Sequence, residues 1–373
     1  MKRAIAFILA IAVILTFASC SATAVRRSGT QPEEIMSSPD ELTEPETTYS
    51  IGNFSGVVLM TENGESVYEA TGGVEKSKTG EPINLDTKFC IGSVSKQFCA
   101  AAILILQQDG KLSVDDKLSK YYPGYAYGDK LTLRNLLDMR SGIREFYDVE
   151  FIDDAFTELP TGELRGVVTN EKTVDENRQT LEKWLLEQPL QFEPDTDFEY
   201  CNSNYFLLAR IVEKVSGKSY NDFVRERIFQ PLGMKNSSFI DDADFKDVEH
   251  LAAPSVHPQT VHVGVTMGLG DMISNARDMD LWLTSFRTNK VLTKESIAMM
   301  TTDYTEGIEE DYGFGVRMFG NGIYHTGCIT TYEAITYTDP ERGINIFAVT
   351  NDDLHNDKSV DEICWNLISE IGF

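Results

Sequence analysis

Two regions near the ends of the chain alternate apolar and polar residues with the period of a β-strand. In the first region, the runs FSGVVLM and SVYEATGG flank TENGE, whose Asn63-Gly64 pair is typical of a tight hairpin turn. In the second, YEAITYT and GINIFAVTN flank DPER in the same way, and apolar residues then recur at helical spacing from Asp357 to Ile371. The pattern predicts one antiparallel sheet, built from both ends of the chain and backed by a terminal helix.

The middle of the chain changes to a helical period. The segment LTLRNLLDMRSGI has Thr132 as a candidate N-cap and Gly142 as a stop. The segment YFLLARIVEKVSGKSYNDFVRERIFQPLGM is typical of two helices broken at Gly217, with Ser219 and Asp222 as a capping-box start for the second. We therefore expect an α+β body in which helices flank the sheet and form a helix-rich insertion, with a cleft between insertion and sheet.

The first twenty residues have the features of an export signal. Lys2 and Arg3 precede an apolar run from Ala4 to Ala18, which is shorter than the ~20 residues of a membrane span. The run ends in FASC, similar to the cleavage box of bacterial lipoproteins, so residues 1–20 are predicted to be a signal peptide with lipid attached at Cys20. The resemblance implies an exported bacterial protein held at the membrane or its outer face, with plain secretion or an uncleaved anchor as the alternatives.

Residues 21–50 are polar and show no hydrophobic periodicity, which predicts a flexible linker before a single functional domain over residues 51–373. The formal net charge of the chain is −26, so nucleic acid is not an expected partner. Five cysteines follow Cys20 without a CxxC pair and are predicted to be small buried hydrophobic residues. The five histidines lack metal-ligand spacing, so neither a metal nor a cofactor is expected.

The stretch FCIGSVSKQFCAAAILILQQDG contains a candidate nucleophile and base. Ser93 and Lys96 lie at i and i+3, which places a hydroxyl and an amine on one face at the start of a buried helix. At a helix N-terminus the N–H of Ser93 can bind a developing oxyanion, and a desolvated lysine can act as a base. Ser-x-x-Lys is a weak signal by itself, but it occurs once in the chain. Ser95 is expected to turn away from the cleft.

Two further motifs supply polar groups for the same cleft. Tyr200 and Asn202 form the only Tyr-x-Asn in the chain, where a loop enters a helix, so the phenol can carry a proton and the amide can bind substrate or Lys96. Ordinary helix capping is the alternative explanation of this motif. His325, Thr326 and Gly327 stand at the start of a predicted strand.

The order Ser-x-x-Lys, Tyr-x-Asn and His-Thr-Gly resembles the serine β-lactamase and penicillin-binding protein superfamily, closest to its class C β-lactamase and D-alanyl-D-alanine carboxypeptidase branch. The resemblance covers essentially residues 51–373 and includes the segments FEPDTDFEYCNSNY, GLGDMISNARDMDLWL, YGFGVRMF and TDPERGINIFAVTN. It implies an acyl-enzyme on Ser93 and a second oxyanion donor in the backbone N–H of Cys328. It also implies that His325 and Thr326, beside Gly327, face a substrate carboxylate.

Two segments depart from the family pattern. Met139-Arg140-Ser141-Gly142 stands where the family usually has His-Thr-Ser-Gly, so Arg140 could alter the cleft rim. The acidic stretch from Arg144 to Thr180 matches poorly and is predicted to cover the cleft and determine substrate choice. A literal Lys78-Thr79-Gly80 also occurs, but it precedes Ser93 in a polar stretch and is predicted to be a turn.

Three functions stay open on the sequence alone. The first is a serine hydrolase acting on D-alanyl peptides or related amides, with β-lactam binding or hydrolysis. The second is an esterase of the same fold, and the third is a non-catalytic surface lipoprotein that binds cell-wall peptides. A cysteine nucleophile is disfavoured because no cysteine is matched with a positioned histidine in the sequence. The expected partners are therefore a small peptide, ester or β-lactam, and the membrane through Cys20.

Overall fold

The computed structural model describes residues 54–76, 80–152, 155–160, 162–164, 166–169, 171–242, 248–254, 264–305, 308, 310–352 and 360–371. The predicted signal peptide with Cys20, the predicted linker, and Lys78 and Thr79 of the literal Lys-Thr-Gly lie outside these residues. Within the described part of the chain, no helix is both long and apolar enough to cross a membrane.

The strands of the described residues form three sheets, of which the largest is six-stranded and antiparallel with the order β2-β1-β11-β10-β9-β8. A small sheet has the order β3-β7-β6, and β4 pairs with β5. The strands are β1 (Gly56–Glu62), β2 (Glu65–Gly72), β3 (Phe89–Cys90), β4 (Tyr147–Ile152), β5 (Ala155–Pro160), β6 (Ser238–Phe239), β7 (Met272–Ser274), β8 (Arg317–Phe319), β9 (Gly322–Ile329), β10 (Tyr332–Asp339) and β11 (Ile344–Thr350).

Helices fill the middle of the chain and its end. A 3₁₀ turn (Gly92–Val94) leads directly into the first α-helix. The helices are α1 (Ser95–Gln108), α2 (Leu133–Leu137), α3 (Val174–Glu187), α4 (Asn202–Ser216), α5 (Tyr220–Val224), α6 (Gln230–Leu232), α7 (Ala276–Thr288), α8 (Lys294–Met300) and α9 (Val360–Ile371).

The predicted sheet of both chain ends is confirmed, because β1 pairs with β11 from Gly56↔Thr350 to Glu62↔Ile344. Its two faces have separate cores, as the side-chain alternation of a strand requires. Val57 and Leu59 of β1 belong to the large core shared with α1, whereas Val58 and Met60 belong to the small core shared with α9. The α+β fold class is therefore confirmed, with α9 behind the sheet and the other helices on its opposite face or beyond it.

Most local predictions hold. The hairpin turn has positive φ at both Asn63 (55°) and Gly64 (87°), as a two-residue turn of this type needs. Gly217 ends α4 with φ 71°, and the Ser219 hydroxyl caps α5 by accepting from the Asp222 N–H at 3.1 Å. Thr132 caps α2 as predicted.

The predicted stop at Gly142 is wrong, because α2 ends at Leu137. The chain leaves the helix through Met139 at φ 63°, and the Arg140 N–H closes the turn on the Asn135 carbonyl at 2.9 Å. Gly142 instead allows the backbone at Phe192 to pack closely against it. A Cβ on this residue would lie 2.2 Å from the Phe192 carbonyl oxygen.

Candidate active site

Ser93 lies in the 3₁₀ turn before α1, and Lys96 lies in the first turn of α1. The Lys96 side chain is fully buried, and its Nζ donates to Ser93 Oγ at 2.9 Å. Helix α1 is apolar on nearly every face, which explains why its first turn is buried in the core. The i, i+3 spacing in the sequence therefore becomes a direct contact between hydroxyl and amine.

Two other oxygens fix the position of the Lys96 amine. Nζ donates to Asn202 Oδ1 at 2.8 Å and to the Leu269 carbonyl at 2.9 Å, and it lies 4.8 Å from the centroid of the Tyr200 ring. Asn202 is the first residue of α4, so the start of that helix is packed against the start of α1. The structure thus brings Tyr200 and Asn202 to the same amine.

Two glycines allow strand β9 to lie directly against the Ser93 turn. A Cβ on Gly92 (φ 49°) would lie 2.8 Å from the Cys328 nitrogen, and a Cβ on Gly327 would lie 2.1 Å from the Ile91 carbonyl and 2.9 Å from the Ser93 nitrogen. Side chains at either position would therefore force the two backbones apart. The amide nitrogens of Ser93 and Cys328, the predicted oxyanion donors, meet at this contact.

Ser95 is fully buried and faces another direction. Its hydroxyl donates to the Gly92 carbonyl at 2.7 Å and accepts from the Met272 N–H at 3.2 Å. These bonds connect the Ser93 turn to the start of β7. Ser95 therefore supports the turn from behind, whereas Ser93 lines the cleft.

His325 is buried and neutral at physiological pH. Its Nδ1 lies 2.5 Å from the Thr326 carbonyl, which can only accept, so Nδ1 carries the proton and Nε2 accepts from the Tyr312 hydroxyl at 3.3 Å. Burial, reinforced by the positive charge of nearby Lys96, lowers the pKa of His325 to about 3. The imidazole therefore brings no positive charge to the cleft.

An open cleft of about 220 Å³ lies above these groups. The residues that line it are Ser93, Tyr200, Arg317, His325, Thr326 and Cys328. Arg317 was not predicted from the sequence; it reaches the cleft from β8, where it pairs in register with Tyr324 of β9. Its guanidinium lies 5.5 Å from the Tyr312 ring and donates to Glu310 at 2.5 Å, so the cation that lines the cleft is paired with a carboxylate.

Glu145 is a second residue that the sequence analysis missed. Its carboxylate accepts from the backbone N–H groups of Asn202, Phe146 (2.7 Å) and Tyr147 (3.0 Å). The N-cap residue of α4, Cys201, makes no side-chain capping bond, so Glu145 supplies this cap from 57 residues away along the chain. Whether the rest of the stretch from Arg144 to Thr180 covers the cleft stays a prediction.

Arg140 is not among the residues that line the cleft. Its guanidinium donates to the Tyr304 carbonyl at 2.9 Å and to the Asp195 carbonyl at 2.5 Å, which ties together two loops. In this structure Arg140 therefore connects loops and does not contribute to the cleft lining.

The prediction of buried cysteines holds for four of the five described residues. Cys90, Cys99, Cys201 and Cys364 are buried free thiols, and burial raises their pKa. For Cys328 the prediction is wrong, because the alternation of β9 turns its side chain outward into the cleft.

One group of side chains among the described residues has the composition of a metal site. Potential ligand atoms of Glu75, Glu81 and His250 lie within 4.8 Å of one another. Glu75 is buried, but it already accepts from Thr87 at 2.7 Å and lies 3.4 Å from His250 Nδ1. Internal contacts of this kind account for the group without an ion.

Known proteins resemble this chain in both sequence and fold. Penicillin-binding protein 4* of Bacillus subtilis is 32% identical over 49% of the chain, and the D-aminopeptidase of Brucella anthropi is 28% identical over 72% of it. The matches cover 38% and 49% of those two proteins, so the chain spans less than half the length of each.

The crystal structure of a penicillin-binding protein from Bacillus halodurans superimposes with a TM-score of 0.71. That match covers 85% of this chain and 97% of the other, at 21% identity, and supports the fold. A family model described as beta-lactamase matches residues 46–363, which is most of the sequence. The chain therefore belongs to the beta-lactamase family, within the serine hydrolase superfamily.

Proposed function

We propose that the protein hydrolyses its substrate through an acyl-enzyme on Ser93, with Lys96 as the base. The observation that carries this proposal is the fully buried Lys96 amine, which lies 2.9 Å from a serine hydroxyl that lines an open cleft. In its neutral form the amine takes the Ser93 proton as Oγ attacks a carbonyl carbon.

The backbone N–H groups of Ser93 and Cys328 then hold the developing oxyanion, each lowering the barrier by ~3 kcal/mol. Tyr200 lies beside Lys96 and passes the proton to the leaving group, which departs as the carbonyl re-forms. Water afterwards cleaves the acyl ester and regenerates the Ser93 hydroxyl.

We further propose that the substrates are peptides or amides with a D-configured residue and a free carboxylate, a class that includes D-alanyl peptides and the related β-lactams. The name of one relative, the D-aminopeptidase of Brucella anthropi, supports the D-amino-acid part of this proposal. The carboxylate part is supported by Arg317 and Thr326, which both line the cleft and offer a guanidinium and a hydroxyl to a carboxylate. Asn202 contacts the same site through its Oδ1, which accepts from Lys96 Nζ at 2.8 Å.

Intact-mass spectrometry after mixing with a penicillin tests the nucleophile. We expect a mass increase of one drug molecule that is lost in Ser93→Ala and retained in Cys328→Ser, the variant that removes the cleft thiol. Peptide mapping should place the adduct on Ser93 and not on Ser95. An adduct in Ser93→Ala would overturn the assignment.

The substrate proposal has a separate test. Hydrolysis of acetyl-D-alanyl-D-alanine is compared with hydrolysis of its C-terminal amide and of the L,L peptide, in the native protein and in Arg317→Gln. We expect preference for the D,D acid, and loss of the acid-over-amide preference in the variant. Turnover of p-nitrophenyl esters alone would instead support an esterase, and binding of the peptides without any turnover would support a non-catalytic binding protein.

The placement of the protein in the cell is also a proposal. We infer that residues 1–20 direct export and that Cys20 carries lipid, on the basis of the basic start, the apolar run and FASC. Metabolic labelling with an alkyne fatty acid should tag the native chain and leave Cys20→Ser untagged. A labelled Cys20→Ser chain would contradict the site of attachment.

A further inference from the structure

The segment from Thr266 to Met272 forms the wall behind Lys96. The Leu269 carbonyl accepts from Lys96 Nζ at 2.9 Å. Three residues later, the Met272 carbonyl accepts from the Ile91 N–H at 3.1 Å. This short segment therefore contacts both the base and the turn that carries the nucleophile.

A compact turn holds the Leu269 carbonyl in place. The N–H groups of Leu269 and Gly270 both donate to the Thr266 carbonyl, at 3.1 and 3.0 Å. The side chain of Asp271 closes the turn, because its Oδ1 accepts from the Gly268 N–H at 3.1 Å. Gly268 has φ 75°, and a Cβ there would lie 2.6 Å from the Ala209 Cβ, so the turn is packed tightly against α4.

The Asp271 carboxyl is fully buried, and its Oδ2 has no hydrogen-bond partner among the described residues. Burial, with the charge of Asp241 as a second cause, raises the pKa of Asp271 to about 8. At neutral pH the side chain is therefore an uncharged acid. The titratable or charged groups around it are Asp241, Arg178, Cys99, Tyr220 and, beyond Cys99, Lys96.

We propose that Asp271 is a positioning residue that keeps the Leu269 carbonyl directed at the Lys96 amine. The inference rests on the proposed function, since it assigns the amine as the base. Asp271 is bonded through one oxygen to the same turn whose Leu269 carbonyl contacts the base, so it can orient that carbonyl without touching substrate. A neutral acceptor is sufficient for the task, so Asn should replace Asp here.

The test compares Asp271→Ala and Asp271→Asn in the purified protein. Asp271→Ala should lower the rate constant for acylation by a penicillin by about tenfold or more, because the base loses its orientation. Asp271→Asn should restore the rate to within about twofold of the native protein, since the amide oxygen replaces Oδ1. Asp339→Ala is the matched control: Asp339 is also buried and closes a turn, accepting from the Glu341 and Arg342 N–H groups at 3.1 and 3.0 Å.

A second readout does not depend on turnover. The NMR titration midpoint of the Lys96 Cε signal should move to lower pH in Asp271→Ala, because a carbonyl acceptor favours the ammonium form. It should stay unchanged in Asp271→Asn and Asp339→Ala. An unchanged midpoint in Asp271→Ala, or equal loss of rate in Asp271→Asn and Asp271→Ala, would overturn the proposal. A native protein that never reacts at Ser93 would refute the proposed function, while the titration would still decide the role of Asp271.

Discussion

Two buried cations in this molecule have different partners. Arg178 lies in α3 with 10% of its side chain exposed, and it forms a salt bridge with Asp241 at 2.7 Å and lies 3.9 Å from Glu213. Lys96 is fully buried, and three of the oxygens that contact its amine, at 2.8–2.9 Å, belong to a hydroxyl, an amide and a carbonyl, which are all uncharged. The first cation is paired with anions, whereas these three contacts of the second are uncharged dipoles.

The difference separates a structural charge from a reactive one. A carboxylate in direct contact fixes a cation in its charged state, which suits a residue that joins α3 to the loop of Asp241. Uncharged acceptors orient an amine without committing it to that state, so the amine can give up a proton and act as a base. Such a site costs stability, which is the usual relation between active-site chemistry and folding.

The largest expected effect is that of Lys96→Met. Acylation of Ser93 by a penicillin should fall by at least about 10³-fold, because the hydroxyl loses the base that takes its proton. The unfolding free energy should stay equal or rise, because a buried amine is replaced by an apolar side chain of similar length. Stopped-flow acylation and urea unfolding measure the two quantities, and a marked loss of stability would place Lys96 with the structural cations.

Arg178→Met should have the opposite result. It leaves Asp241 buried without its cation, so we expect a loss of ~3–5 kcal/mol in the unfolding free energy. Among the protein that remains folded, the acylation rate at Ser93 should change far less than in Lys96→Met. The double variant Arg178→Met with Asp241→Leu should recover much of the stability, and failure to recover it would show that the ion pair is not the cause.

The residues around Lys96 show how far the sequence predicts the site. Ser93 and Lys96 are three positions apart in the chain, so local helical spacing is enough to pair them. Asn202 is 106 residues away, and its place is predictable only through the motif order of the family. The turn that ends α2 at Met139 was missed because a left-handed non-glycine residue leaves no distinctive sequence signal.

Other parts of the site were missed for a different physical reason. Arg317 reaches the cleft through the register of a three-residue edge strand, Glu145 caps a helix 57 residues away, and Asp271 acts through a backbone carbonyl. Each depends on tertiary contacts with no fixed sequence spacing. The hairpin of β4 and β5 likewise lies in the acidic stretch from Arg144 to Thr180, which was interpreted only as a cleft cover.

Glu145→Gln tests the comparison of Lys96 with Arg178 further, because it neutralises an anion that is connected to Lys96 through Asn202. Glu145 accepts the Asn202 N–H, and Asn202 in turn accepts from Lys96. We expect the unfolding free energy to fall by about 1–2 kcal/mol, because a charge-assisted acceptor at a helix N-terminus becomes a neutral one. The acylation rate should fall with it, as Asn202 is held less firmly.

The matched control for this prediction is Glu176→Gln. The Glu176 side chain also accepts a backbone N–H at a helix start, that of Thr173 at 2.9 Å, but in an exposed capping box. Solvent can replace that bond, so both stability and acylation should change little. Equal effects of the two substitutions on acylation would contradict the connection from Glu145 through Asn202 to Lys96.

The last expected effect is a gradual pH dependence carried by Asp271, which lies within the electrostatic field of Arg178 and Asp241. The unfolded chain releases this proton near the ordinary pKa of 3.8, whereas the folded protein keeps it up to about 8. The folded state therefore binds more protons between those values, and the contribution of Asp271 to stability falls by at most ~1.4 kcal/mol per pH unit until it is lost as pH rises through 8.

Asp271→Asn removes this titration and should flatten the decline of the unfolding free energy between pH 6.5 and 8, as urea unfolding at several pH values would measure. That pH window excludes the titration of His325. The pKa of His325 is lowered to about 3, so its contribution to stability is lost as pH falls below 6.5, which is opposite in sign to the effect of Asp271. Parallel curves for the native protein and Asp271→Asn would mean that the carboxyl is ionised in the fold. It would then be a buried anion in the turn that contacts the base, and the surroundings of Lys96 would resemble those of Arg178 more than the three uncharged oxygens at its amine suggest.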